Sequence, residues 1–280
     1  MKMYFSSASA LALIISAQAV QAQEHDHSQM DHSDANGSKH SAESKYWSGC
    51  RVIDHGHDSE AIWDVKLCRA AEGSGTSRLP AAEGGGHSGL HIDAGDNWMV
   101  MAHGYAWGVY TDQSGPRGDD KAYVQSMAML NAEKETGWGK VQLKSMFSLE
   151  PLMKNRGYPN LFPSGETAGG EALVDRQHPH DLFMELAARV DVNVGSGSLF
   201  LYGGPVGEPA IGPSAFMHRG SAKLNPEPPI THHWFDSTHI TYGVITAGYS
   251  APNWQIEASA FRGAEPDEAR WNIETPKLDS

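Results

Sequence analysis

Residues 138–149 (WGKVQLKSMFSL) put Val141, Leu143, Phe147 and Leu149 on one parity and Lys140, Gln142, Lys144 and Ser148 on the other. Successive side chains of a strand point to opposite faces, so this run predicts a strand with one apolar and one polar face. Residues 254–262 repeat the pattern, with Trp254, Ile256, Ala258 and Ala260 opposing Gln255, Glu257 and Ser259. Residues 181–194 open like a helix but finish VDVNV, a strand pattern, and Gly195-Ser196-Gly197 then signals a tight turn into residues 198–202. Residues 238–250 and 254–262 flank a second short turn at Ala251-Pro252-Asn253. Residues 97–110 (NWMVMAHGYAWGVY) are rich in aromatics and glycine without a helical period, and residues 121–135 fit either helix or strand.

Two long connections, 151–176 and 203–236, are rich in proline and glycine. Strands of about ten residues, short turns at one end and long loops at the other are the pattern of an outer-membrane barrel. The expected fold class is therefore all-β, an antiparallel outer-membrane-type β-barrel; a soluble β-sandwich with long loops gives a similar pattern. Roughly seven strands are visible, whereas bacterial barrels use an even number from eight upward. The polar run 274–280 (ETPKLDS) does not end on a strand, so the barrel is expected to be incomplete at its C-terminus.

The N-terminal part is organised differently. Residues 1–22 carry Lys2, an apolar run at 8–15 and small residues ending Val20-Gln21-Ala22, the layout of a cleaved secretory signal that is too short to span a bilayer. Residues 23–45 are polar and histidine-rich, and are expected to be a disordered tail. Residues 46–70 hold Tyr46, Trp47, Ile62, Trp63, Val65 and Leu67 between and beside Cys50 and Cys68. In an oxidising envelope those cysteines are expected to form a disulfide stapling a small element; a metal or redox pair with His55 and His57 is the other reading. Residues 71–97, with Gly84-Gly85-Gly86, read as a linker, and 98–280 as the barrel domain. The formal net charge of −13 makes the chain a poor nucleic-acid partner and suits cations or simple solubility.

Metal chemistry is the recurrent theme. In the tail, His25, His27, Met30 and His32 place imidazole and thioether groups on mobile backbone; imidazole suits copper, zinc and nickel, and thioether favours Cu(I). A second group lies in and around the long loops: Asp175, His178, His180, Asp181, His218, His232, His233, Asp236 and His239. Converged, these could hold a divalent metal or do acid–base work; dispersed, they are loop histidines bonded to backbone or water. Met99/Met101 and Met127/Met129 are pairs that share a face on strands, a Cu(I) path if they line a lumen and adaptable hydrophobes if they face lipid or core. Met101 and His103 share a parity with Tyr105 and Trp107, which suits an aromatic-rich outer face equally well. There is no nucleophile elbow, phosphate-binding glycine loop, HExxH or CxxC, so an enzyme reading rests on the histidines alone.

At Met30-Asp31-His32-Ser33 the tail resembles the Met/His-rich leaders of the outer-membrane copper-resistance protein B family. From about Trp98 onward the body resembles a different group of uncharacterised bacterial envelope proteins, outer-membrane barrels associated with metal resistance. The stretches that carry this likeness are His103-Gly104-Tyr105, residues 146–151 (MFSLEP), residues 175–181 (DRQHPHD) and Phe216-Met217-His218-Arg219. The body's resemblance implies an envelope barrel and carries no activity with it; the tail ligands, the loop histidines and carboxylates and the acidic charge set the expected function, an exported protein in contact with outer-membrane lipid that binds or passes a transition metal, copper ahead of zinc. Two other functions stand beside it: a porin-like or structural outer-membrane protein with no metal role, and a soluble periplasmic metalloenzyme.

Overall fold

The computed structural model describes residues 46–47, 50–51, 70–80, 89–162, 167–220, 222–227, 236 and 238–280. Its centre is one eight-stranded antiparallel sheet: β1 (Leu90–Gly95), β2 (Trp98–Asp112), β3 (Asp120–Thr136), β4 (Gly139–Phe147), β5 (Phe183–Val194), β6 (Gly197–Val206), β7 (Val244–Ser250) and β8 (Gln255–Phe261). Each strand pairs with the next in sequence, an up-and-down meander. Among the described residues β1 and β8 do not pair with each other, so the sheet is open and the expected barrel closure is not found. The all-β antiparallel class holds. No described helix is long and apolar enough to cross a membrane, which does not bear on strands.

The hairpin turns explain the register. Asp96 and Asn97, between β1 and β2, have φ of 50° and 61°, the left-handed pair that a type I′ turn requires and that Asp and Asn tolerate. Gly195, at φ 62°, opens the turn from β5 to β6. These short turns, with Gly137-Trp138 and the 251–254 turn, lie at one end of the sheet. Residues 113–119, 148–182 and 207–243 connect strands at the other end.

Four sequence expectations change here. The stretch 71–97, read as a linker from its glycine content, contains strand β1, and residues 73–78 pack against loop 208–213 and strand β8. The count rises from about seven strands to eight for that reason. The helix-like opening of 181–194 is strand from Phe183, bulged between Phe183 and Glu185 where it leaves the loop. Residues 238–243 precede β7 instead of belonging to it. In the region expected to be disulfide-stapled, Tyr46–Trp47 pairs with Cys50–Arg51, and Cys68 lies outside the described residues.

The two faces of the sheet are inverted relative to a sheet in water. One face is exposed or half-exposed and uncharged on every second residue across 100–110, 122–132, 141–147, 186–194, 199–205, 245–249 and 256–260. Val124 is 55 % exposed, Leu201 56 % and Ile256 67 %. The other face is covered and mixed, with Gln125, Gln142, Glu185, Asp191 and Thr246 buried among Met101, Met127, Met129, Phe200 and Tyr202. Its charges are matched locally. Arg189 donates to both oxygens of Asp191 at 2.8 and 2.7 Å and lies 4.4 Å over the Phe200 ring. Gln142 donates to Glu133 at 2.7 Å, and Tyr202 Oη donates to Glu185 at 2.9 Å. Buried charge is costly unless paired in this way.

Candidate functional site

The covered face and the long loops enclose the main core at the long-loop end. Its buried members include five methionines: Met127 and Met129 on β3, Met146 on β4, Met184 on β5 and Met217 on the 3-10 turn Phe216–His218. The parity of β2 sends Met101, His103, Tyr105 and Trp107 to this same covered side, not to an aromatic outer face. His103 Nε2 lies 3.2 Å from the Met129 sulfur, and its ring centroid is 5.4 Å from that of His218. Imidazole and thioether groups thus meet inside a thioether-rich core. Both are donors that a soft cation accepts.

Beside this cluster is a buried charged network built from the loops. Glu150, on the 3-10 turn Glu150–Met153, is 1 % exposed and accepts from the backbone N–H of His180 at 3.0 Å and from its Nδ1 at 2.8 Å. The His180 ring meets that of His239 edge-on at 5.4 Å. Arg270 donates to Asp181 at 3.0 Å, and Arg219 to Asp236 at 3.3 Å. Asp236 also accepts from the backbone N–H of Phe216 at 2.9 Å, which fixes the turn that carries His218. His178 Nδ1 faces the Pro179 carbonyl at 2.8 Å and His239 Nδ1 the Asp236 carbonyl at 2.6 Å.

Burial sets the protonation of these groups. It pushes Asp236 up to about 7, against the pull of the Arg219 guanidinium. It raises Asp181 likewise, with Arg270 opposing. For His180, burial disfavours the charged ring, but the charge and hydrogen bond of Glu150, helped by Asp181 and Asp236, outweigh it and hold the imidazole above its ordinary value. A protonated His180 against Glu150 is a buried pair whose partners each need the other.

Of the residues singled out in the sequence, His178, His180, Asp181, His218, Asp236 and His239 are all buried or half-buried under the loops. They do not form one cage: among the described residues no group of three or more His, Cys, Asp and Glu side chains is arranged to hold a metal. Asp175 lies apart, paired with Arg117 and accepting from the Phe162 N–H at 3.1 Å. His25, His27, Met30, His32, His232 and His233 fall outside the described residues. The sequence reading missed Glu150, Met146, Met184, Met217 and Arg270. The methionine count and the parity of β4 were its available signals; nothing local marked Glu150 as the partner of a histidine 30 positions away.

Comparison of the chain with protein-family models, with curated proteins and with solved structures finds no match.

Proposed function

We propose that this is an exported protein whose sheet is part of an outer-membrane β-barrel wall, and that it binds or passes a soft transition metal, copper as Cu(I), on the covered side of that wall. The observation that carries the metal reading is the 3.2 Å approach of His103 Nε2 to the Met129 sulfur within a core of five buried methionines. A harder cation such as zinc would want a cage of nitrogen, oxygen or thiolate donors. When bound, Cu(I) would be held by His103 and Met129, with His218 and the neighbouring thioethers as further donors. The histidines and methionine of the tail, His25, His27, Met30 and His32, would supply weaker capture sites on the periplasmic approach.

The inverted faces support the membrane part. Exposed aliphatic side chains over buried charge are what a wall between lipid and a polar interior requires. The outward run of β2, Val100 to Tyr110, is roughly 33 Å of strand, about 25 Å of membrane thickness at a barrel tilt. Aromatic side chains cluster at the short-turn end. Trp138 is 49 % and Trp254 54 % exposed, Tyr249 and Trp254 are 5.4 Å apart, and Lys134 sits 5.6 Å over Trp98. Such rings and cations suit the headgroup level.

Anaerobic Cu(I) titration of the full chain in uncharged detergent, against a chromogenic chelator, tests the reading. His103→Gln with Met129→Leu is expected to lose the tightest site, with affinity falling about ten-fold or more, while a variant with the four tail ligands replaced keeps it. Equal stoichiometry and affinity in the wild type and the core variant would overturn the metal assignment.

A further inference from the structure

The chain has 34 acidic and 21 basic residues. Against that balance, four basic side chains, Lys121, Lys154, Arg156 and Arg176, line one open depression of about 570 Å³ at the long-loop rim. We infer that this depression is a binding site for a phosphate group, as carried by a phosphorylated lipid headgroup or by a soluble phosphate. The inference does not depend on the metal reading.

Two of the cations are anchored, and two have no carboxylate partner among the described residues. Lys121 Nζ is held by the carbonyls of Met153, at 3.1 Å, and Gly157, not by a carboxylate. Arg176 donates to the Arg156 carbonyl at 2.8 Å and pairs with Asp119 at 2.6 Å. Among the described residues neither Lys154 nor Arg156 pairs with a carboxylate. Glu268 is an acid bonded to the lining residue Gly169, and its oxygens are taken by Thr167 Oγ1 at 2.6 Å and by the N–H groups of Gly169 and Gly170. Counting Lys121, Lys154, Arg156 and Arg176 against Asp119 and Glu268, four positive charges face two negative ones.

The loop that presents Lys154 and Arg156 is rigid. Lys154 adopts φ 72° and Gly157 φ 55°, and the Gly157 N–H returns to the Lys154 carbonyl at 2.9 Å. A Cβ at Gly157 would fall 1.7 Å from the Gln177 carbonyl oxygen, so the loop is pressed against its neighbour. Arginine recognises phosphate through a planar fork of donors and lysine as a point charge; the anchored Lys121 and Arg176 lose little freedom on binding. Leu152, two positions before Lys154 on the 3-10 turn Glu150–Met153, is 68 % exposed, an apolar side chain that a lipid would use and a free ion would not.

The test titrates the full chain in uncharged detergent with inorganic phosphate and, separately, with short-chain phosphatidic acid, at low and high salt. Wild type is expected to bind at least one probe, with affinity falling as salt rises, and Lys154→Gln with Arg156→Gln to weaken it about ten-fold or more. Lys223→Gln, an exposed lysine elsewhere on the loops, is expected to leave binding unchanged. Binding of phosphatidic acid alone points to a lipid source, and equal binding of both probes to a soluble anion. No binding, or equal weakening by the Lys223 control, overturns the site.

Discussion

Gly75 donates its backbone N–H to Glu208 Oε2 at 3.0 Å, joining residues 133 positions apart. Around this bond the 73–78 segment is tied down on the covered side. Ser74 Oγ donates to the Pro209 carbonyl at 2.8 Å, Thr76 Oγ1 to Glu257 at 2.5 Å, and Arg78 to Ser250 Oγ at 3.0 Å. A stretch whose composition reads as a linker is thus held by polar contacts with the loop after β6 and the inner residues of β7 and β8.

Gly75 is the residue on which this docking turns. It sits at φ 59°, and a Cβ there would lie 2.1 Å from the Glu208 carbonyl oxygen. Gly75→Ala meets both strain and a backbone clash, and is expected to cost about 2 kcal/mol and to release the segment locally. Hydrogen exchange at residues 74–78 reads the release directly: faster exchange there, with the core strands unchanged, is the expected result. Unaltered protection would show that the segment is not held at this point.

Glu208 gives the same contact a pH dependence. Burial pushes its carboxyl up to about 8, the Glu185 carboxylate adds to the rise, and the Gly75 N–H opposes it. The folded chain therefore keeps a proton on Glu208 that the unfolded chain has lost above its ordinary value of 4.5. Between those values the native state binds more protons, so this residue's contribution to stability falls as pH rises. Unfolding midpoints taken from about pH 5 to about pH 9 are expected to decline more steeply for wild type than for Glu208→Gln, which carries no proton to lose. Parallel profiles would remove Glu208 as the source.

The sequence pattern exposed some of this fold and concealed other parts for identifiable reasons. The alternation in β4 was legible because Val141, Leu143 and Phe147 keep strict parity against lysines and a glutamine. That parity says which side chains share a face, not which medium the face meets. In the structure the loops cover the face that carries Gln142, which local alternation alone does not announce. Strand β1 was hidden because Leu90 and Ile92 carry too little pattern beside so many glycines, and its partner β2 supplies the pairing. The histidines at 178 and 180 announced a site, yet one turns to its own neighbour's carbonyl and the other to Glu150. The His103–Met129 contact needed the β2–β3 register, which pairs these two residues directly and which no local window contains.

Leu201 separates a lipid-facing wall from a sheet that merely happens to be uncovered. It lies at the middle of β6, 56 % exposed, opposite Val190 on β5 and Ala247 on β7, with no charged residue among these exposed neighbours. In water, an exposed leucine replaced by arginine changes stability by roughly 0.5 kcal/mol or less. At the midplane of a bilayer the same change costs about 2–4 kcal/mol, because the guanidinium must stay solvated in hydrocarbon. Leu201→Arg is therefore expected to lower the urea stability of protein folded into phosphatidylcholine vesicles by that larger amount, with Leu201→Ala serving as the control for lost contact area. The covered face supplies the converse: Gln142→Leu removes the donor to Glu133 without touching lipid, and its cost should not depend on bilayer thickness. If Leu201→Arg is tolerated as well in vesicles as a surface arginine is in water, the exposed face does not meet lipid and the membrane reading fails with it.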